Sequence, residues 1–99
     1  MPELCLTLCC PQDLEEKLVD ALLDVADQRV FTSTAIAAHG ASNHRASNAE
    51  QVMGRSSWTQ VQLLVSSDQL AALLDGLRPS FAGTPLRYWA TPLAQAGEF

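Results

Sequence analysis

The sequence predicts an α+β fold of the ferredoxin-like type, in which a four-stranded antiparallel sheet carries two helices on one face in the order β-α-β-β-α-β. Three observations support this prediction. The 99 residues have the length of one domain, so residues 1–99 are expected to form a single unit. Four segments have the polarity pattern or the composition of strands, and two carry apolar residues at helical spacing.

The first half of the chain predicts a strand, a helix and a second strand. Residues 3–10 alternate, with leucines at 4, 6 and 8 facing one side and Cys5, Thr7 and Cys9 facing the other. Pro11 is expected to end this strand. Residues 13–27 then place apolar side chains three and four positions apart, as an amphipathic helix does. Residues 29–38 begin with β-branched side chains and predict the second strand.

The second half repeats this order. Residues 58–65 alternate and predict a third strand, and the leucine spacing predicts a helix over residues 68–77. Gly76 and Pro79 are expected to help end this helix. Residues 85–92 predict the fourth strand, and residues 94–99 are expected to form a mobile tail.

Two helices cover only one face of such a sheet, so the other face must meet water or a partner. The predicted open face mixes polar and apolar side chains: Cys5, Thr7, Cys9, Trp58, Gln60, Gln62 and Leu64. A small domain with such a face is expected to form a homo-oligomer. The alternative is a monomer whose open face is polar enough for water.

Composition and charge exclude several classes of protein. The formal net charge is −5, with six Lys and Arg against eleven Asp and Glu, which argues against nucleic-acid binding. No apolar run approaches the roughly 20 residues that span a bilayer, and the N-terminus lacks the basic and apolar regions of a signal peptide. We therefore expect a cytoplasmic protein that is not inserted in a membrane. Three cysteines within six residues do not form a disulfide framework.

The segment between the second and third strands is the first candidate functional element. The predicted loop, residues 41–57, is far longer than the two to five residues of an ordinary hairpin loop. Loops of this length usually bind a ligand or partner, and the alternative is a tolerated insertion. The candidate binding residues in and beside it are His39, Gly40, His44, Arg45, Glu50, Gln51, Gly54 and Arg55.

Metal, anion and catalytic sites are each suggested or excluded by the residue types present. Cys9, Cys10 and His39 are candidate ligands for zinc or copper, although a buried Cys is often only a small apolar side chain. His39, Arg45, Arg55 and Arg87 are candidates to surround a phosphate or carboxylate, for which the forked Arg side chain is suited, and the alternative is that they are solvated loop charges. No nucleophile lies beside an oriented base in any known motif, so we expect a protein that is not an enzyme.

Short motifs along the chain resemble the PII-like superfamily, which includes the PII signalling proteins and the CutA divalent-cation tolerance proteins. They are His39-Gly40, residues 49–55 (Ala-Glu-Gln-Val-Met-Gly-Arg), and Tyr88-Trp89 followed by Pro92. The chain is most similar to a small branch of unknown function that is associated with heavy-metal efflux systems. The similarity covers nearly the whole chain.

The resemblance implies a homotrimer whose sheets face the centre, and a sensor or adaptor linked to heavy-metal homeostasis. Residues 41–57 would correspond to the PII T-loop, responding to a small ligand and contacting a protein target such as a membrane efflux system. One departure argues against nucleotide binding in the PII manner. Residues 78–85 hold a single Gly and a single Arg where PII proteins place a Gly-rich basic segment around phosphates.

Overall fold

The computed structural model describes residues 3–26, 29–40 and 55–99. Within them the elements follow the predicted order β-α-β-β-α-β. They are β1 (Glu3–Pro11), a 3-10 turn (Gln12–Leu14), α1 (Glu15–Val25), β2 (Phe31–His39), β3 (Arg55–Ser66), α2 (Leu70–Phe81) and β4 (Arg87–Pro92).

The four strands form one antiparallel sheet in the order β2-β3-β1-β4. The central strand β1 pairs with β3 on one side and with β4 on the other, so that Leu8 lies opposite both Val61 and Tyr88. The edge strands are therefore β2 and β4. This topology confirms the predicted ferredoxin-like fold.

The hydrophobic core lies between the sheet and the two helices. The position of the core follows from the alternation of apolar residues in β1 and β3, because every second side chain of a strand faces the same side of the sheet. The buried core side chains are Leu6, Leu8, Cys10, Leu18, Leu22, Ala26, Val61, Leu63, Val65, Leu73, Leu77 and Phe81.

The third strand begins at Arg55, three residues before the predicted start at Trp58. Residues 55–57 pair with residues 37–39 of β2, so the predicted loop over 41–57 is wrong at its C-terminal end. The sequence Arg-Ser-Ser does not indicate the start of a strand, because it lacks the apolar alternation by which a strand is recognised. Residues 41–54 lie outside the described residues.

The second helix continues past both residues that were expected to end it. Pro79 lies in its last turn, and the buried Phe81 behind it adds core contacts that favour continuing the helix. Gly76 lies beside α1, where a Cβ atom would come within 3.1 Å of Val25 Cγ1. Gly76 thus allows a close approach of the two helices, and its role is packing.

The C-terminal tail leaves the sheet after β4. The Leu93 N–H donates to the Glu3 carbonyl oxygen at 3.1 Å, and the following residues 94–99 are exposed. The predicted mobility of this tail stays a prediction.

Helix length bears on the expectation that the protein is not inserted in a membrane. Neither α1 nor α2, nor any other helix in the described ranges, is long and apolar enough to cross a bilayer.

We predict that Gly76→Leu lowers the free energy of unfolding by about 1–3 kcal/mol, since its Cβ atom would come within 3.1 Å of Val25 Cγ1 and the α1–α2 contact would have to shift. The matched control is Ala71→Leu, which introduces the same side chain at an exposed position of α2. Urea denaturation followed by circular dichroism measures both. Equal stability of the two variants would contradict a close helix contact at Gly76.

Candidate functional site

The face of the sheet opposite the helices carries the side chains predicted for it. In the register of β1 with β3, Cys5 lies opposite Leu64, Thr7 opposite Gln62 and Cys9 opposite Gln60. On the other side of β1, Thr7 lies opposite Trp89. We call this side of the sheet the open face.

Part of the open face is shielded by its own side chains. Gln62 Nε2 donates a hydrogen bond to Thr7 Oγ1 at 3.2 Å, and the Cys9 thiol lies 3.9 Å from Gln60 Oε1. Thr7 and Cys9 are buried, whereas the larger Leu64 and Trp89 are 43% and 47% exposed. Apolar surface therefore remains in water on this side of the sheet.

A concave site of about 740 Å³ occupies one end of the open face. All four strands or their flanking residues contribute to it. Its lining residues are Cys9, Ile36, Ala38, His39, Gly40, Ser56, Trp58, Pro85, Arg87 and Trp89. The indole rings and Ile36 provide apolar walls, and the polar groups are few, as in sites for small molecules. We refer to it as the open-face cavity.

The cavity lies where β2 ends and β3 begins. His39 and Gly40 line it at the end of β2, and Ser56 lines it at the start of β3. Gly40 has a φ of 120°, in the region that favours glycine, so the chain changes direction at the rim. A molecule in the cavity would therefore touch the chain on both sides of residues 41–54.

The electrostatic character of the cavity comes mainly from Arg87. Arg87 lies opposite Cys9 in the ladder between β1 and β4. Burial raises the pKa of the Cys9 thiol, and the nearby Arg87 charge opposes this only in part. The thiol is therefore protonated at neutral pH, and the guanidinium remains available for an anion or a carboxylate.

The two adjacent cysteines lie on opposite faces of the sheet. Cys10 is fully buried in the core beneath the helices, and burial, followed by the Glu15 charge, raises its pKa to about 11. Cys9 and His39 line the open-face cavity instead. A single subunit does not bring Cys9, Cys10 and His39 around one ion. In the described ranges, no group of three or more His, Cys, Asp or Glu side chains could hold a metal.

The other predicted binding residues divide into two groups. His39 and Gly40 line the cavity, and the backbone of Arg55 pairs with that of His39. The remainder, His44, Arg45, Glu50, Gln51 and Gly54, lie outside the described residues.

Trp58 and Trp89 share one site that the sequence alone does not indicate. They come together because residues of one parity in three paired strands share a face. The β1–β4 register needed to see this is not visible in the sequence.

The open-faced sheet with its cavity at the β2–β3 connection defines an α+β protein with the PII-like fold. The chain belongs to the family of proteins of unknown function DUF3240, which it matches over residues 1–99. No curated protein matches the sequence.

Solved structures agree with this fold. A DUF3240 family protein from Shewanella baltica OS155 superposes with a TM-score of 0.77 at 24% identity, over 98% of this chain and 96% of that chain. CPII from Thiomonas intermedia K12, a nitrogen regulatory PII-like protein bound to ADP, AMP and bicarbonate, gives 0.72 at 18% identity, over 99% and 96%. A PII-like signalling protein from Thermus thermophilus gives 0.63 at 15% identity, over 94% and 88%. The fold implied by the resemblance to PII-like proteins is therefore confirmed, whereas the association with heavy-metal efflux systems stays a prediction.

We predict that the three cysteines alkylate in the order Cys5, Cys9, Cys10. Cys5 is partly exposed, whereas Cys9 and Cys10 are buried. The pKa of about 11 at Cys10, against an ordinary 9.0, lowers its thiolate fraction about 100-fold at neutral pH. Iodoacetamide labelling followed by peptide mass spectrometry reads the order. Labelling of Cys10 in the folded protein as fast as Cys9 would contradict the strand register.

Proposed function

We propose that this protein is a trimeric PII-like sensor or adaptor that binds a small ligand in the open-face cavity. It has no catalytic role in this proposal. Residues 41–54 are the responsive element, and a protein target reads their change of state. The resemblance to PII-like proteins supports the class of function, and the position of the cavity supports the mechanism.

The observation that carries the proposal is that the cavity touches the chain on both sides of residues 41–54. His39 and Gly40 precede the segment and Ser56 follows it closely. A ligand that contacts these residues changes the free energy of one arrangement of the segment relative to another. The path from ligand to responsive element is then only one or two residues long.

The chemistry of the cavity favours a ligand that carries an anionic group. Arg87 supplies a forked cation, which suits a carboxylate, bicarbonate or phosphate oxygen pair. The indole rings of Trp58 and Trp89 add apolar walls against which a flat group can pack. The ligands of CPII, which are ADP, AMP and bicarbonate, are therefore suitable probes. Because residues 78–85 lack the Gly-rich segment of PII proteins, we favour a small anion over a nucleotide held in the PII manner.

The proposed trimer would cover the open face. Leu64 and Trp89 keep much of their apolar surface in water in the single chain. Burying such surface between copies is favourable by about 25 cal/mol per Å². The resemblance to the branch linked with heavy-metal efflux supports a role in metal homeostasis, with a membrane efflux system as the candidate target.

A second candidate function is direct binding of zinc or copper. The observation that favours it is that the Cys9 thiol and the His39 imidazole line the same cavity. Binding would have to remove the Cys9 proton, whose pKa is raised by burial, and would need further ligands from elsewhere. Cys9→Ser and Arg87→Ala together separate the two functions, because zinc or copper uptake would be lost in Cys9→Ser, whereas anion binding would be lost mainly in Arg87→Ala.

We predict that Arg87→Ala weakens binding of the anionic ligand about tenfold or more, as expected when a charge-assisted hydrogen bond is lost. Native mass spectrometry with bicarbonate, AMP, ADP, zinc and copper(I) reads subunit number and ligand stoichiometry together. Arg29→Ala is the control, because it removes the same charge from the helix side of the sheet, outside both the open-face cavity and the α2–β4 groove. A trimer whose Arg87→Ala variant keeps full affinity would contradict this site.

We also predict that the ligand identified in this way slows backbone hydrogen exchange in residues 41–54. The physical reason is that a ligand in contact with both ends of the segment favours some of its arrangements over others. Hydrogen–deuterium exchange with mass spectrometry measures it on the full chain. Arg87→Ala should remove the effect, and unchanged exchange in the ligand-saturated wild type would refute the responsive role.

A further inference from the structure

A second concave site lies on the helix side of the sheet, away from the open-face cavity. It is a groove of about 180 Å³ between the C-terminal end of α2 and the edge strand β4. Its lining residues are Leu8, Leu74, Leu77, Arg78, Phe81, Ala82, Leu86 and Tyr88. Tyr88 remains 52% exposed because β4 is the last strand of the sheet. The groove is therefore apolar, with Arg78 as its charged group.

The C-terminal tail presents a large apolar side chain to water. Residues 94–99 are exposed, and the Phe99 ring is fully so. An exposed aromatic ring is a common anchor for a pocket in a partner.

We propose that the Phe99 ring of one copy of this chain occupies the groove beside Tyr88 in a second copy. The groove is lined by leucine and aromatic side chains, which match the ring in chemistry. Glu98 precedes Phe99, and Arg78 lies in the groove, so the charges beside the ring are complementary. Arg78 also forms an ion pair with Asp75 at 3.7 Å. Both side chains of this pair are exposed, so it is weak and competes little with a pair between Arg78 and Glu98.

The partner is a second copy rather than the same chain. From Pro92 back to Tyr88 is roughly 13 Å along β4, and six tail residues reach about 20 Å. The chain's own groove is thus within reach, yet Phe99 is fully exposed and does not line it. A tail that enters the next copy's groove makes a head-to-tail contact, which can close into a ring such as a trimer.

This contact is separate from the ligand site. The groove lies on the helix side of the sheet and the open-face cavity lies on the other side. Loss of the tail contact would therefore change subunit association, whereas failure of the ligand proposal would appear as unchanged ligand binding in Arg87→Ala.

The test uses sedimentation equilibrium of the full chain and two variants. Phe99→Ala removes the ring, and Ala82→Trp fills the groove. Each is expected to raise the dissociation constant between copies at least tenfold. Mixing the two variants should restore a complex, because one supplies an open groove and the other an intact tail. Leu23→Ala removes another exposed apolar side chain, from α1, and should leave association unchanged.

Three results would overturn the proposal. They are a wild-type protein that stays monomeric at high micromolar concentration, unchanged association in both variants, and a mixture that forms no complex. If Ala82→Trp does not fold, Glu98→Arg replaces it: this change should weaken association at low salt, and Arg78→Glu in the same chain should restore it. A loss of thermal stability in Phe99→Ala that does not depend on protein concentration would instead place the ring in its own groove.

Discussion

The register of the central strand β1 is the constraint on which both faces of the molecule depend. Leu6 and Leu8 face the helices, and Thr7 and Cys9 face the opposite side. Because β1 pairs with strands on both sides, a slip of one residue would exchange these sets and place Thr7 in the core. The same hydrogen-bonded ladder that buries the leucines therefore also builds the floor of the open-face cavity.

The adjacent cysteines show how much the surroundings of a thiol differ between two neighbouring positions of β1. Cys10 packs among the core leucines and has its pKa raised to about 11, so it is an apolar side chain in practice. Cys9 lies against Arg87 and lines the cavity. A Cys-Cys pair looks like a metal motif when it is considered as a string of residue types. On a strand it is two residues with different environments.

The sequence was sufficient for the fold because the informative patterns are local. Leucines at every second position of β1 and at helical spacing in α2 specify a strand and a helix without knowledge of the partner elements. The loop predicted at Arg55 and the helix end predicted at Pro79 are both wrong. The local signal for a strand is weak at Arg55 and the local signal at Pro79 opposes a helix, so contacts with β2 and with the core decide the secondary structure there. The cavity was only partly predicted, since Trp58 and Trp89 meet through pairing between distant segments.

In the function proposed above, a small domain couples binding in the cavity to a change in residues 41–54. Coupling requires that the ligand interact differently with two arrangements of the responsive element. Gly40, with a φ of 120°, lines the cavity and directly precedes residues 41–54, so in the proposed function the same residue would contact the ligand and set the direction of the chain at the rim. A residue with a side chain would be strained at that φ. The nine residue pairs between β1 and β3 form the cavity floor, so in this proposal the free energy of binding would act first on the chain that leaves the rim rather than on the floor.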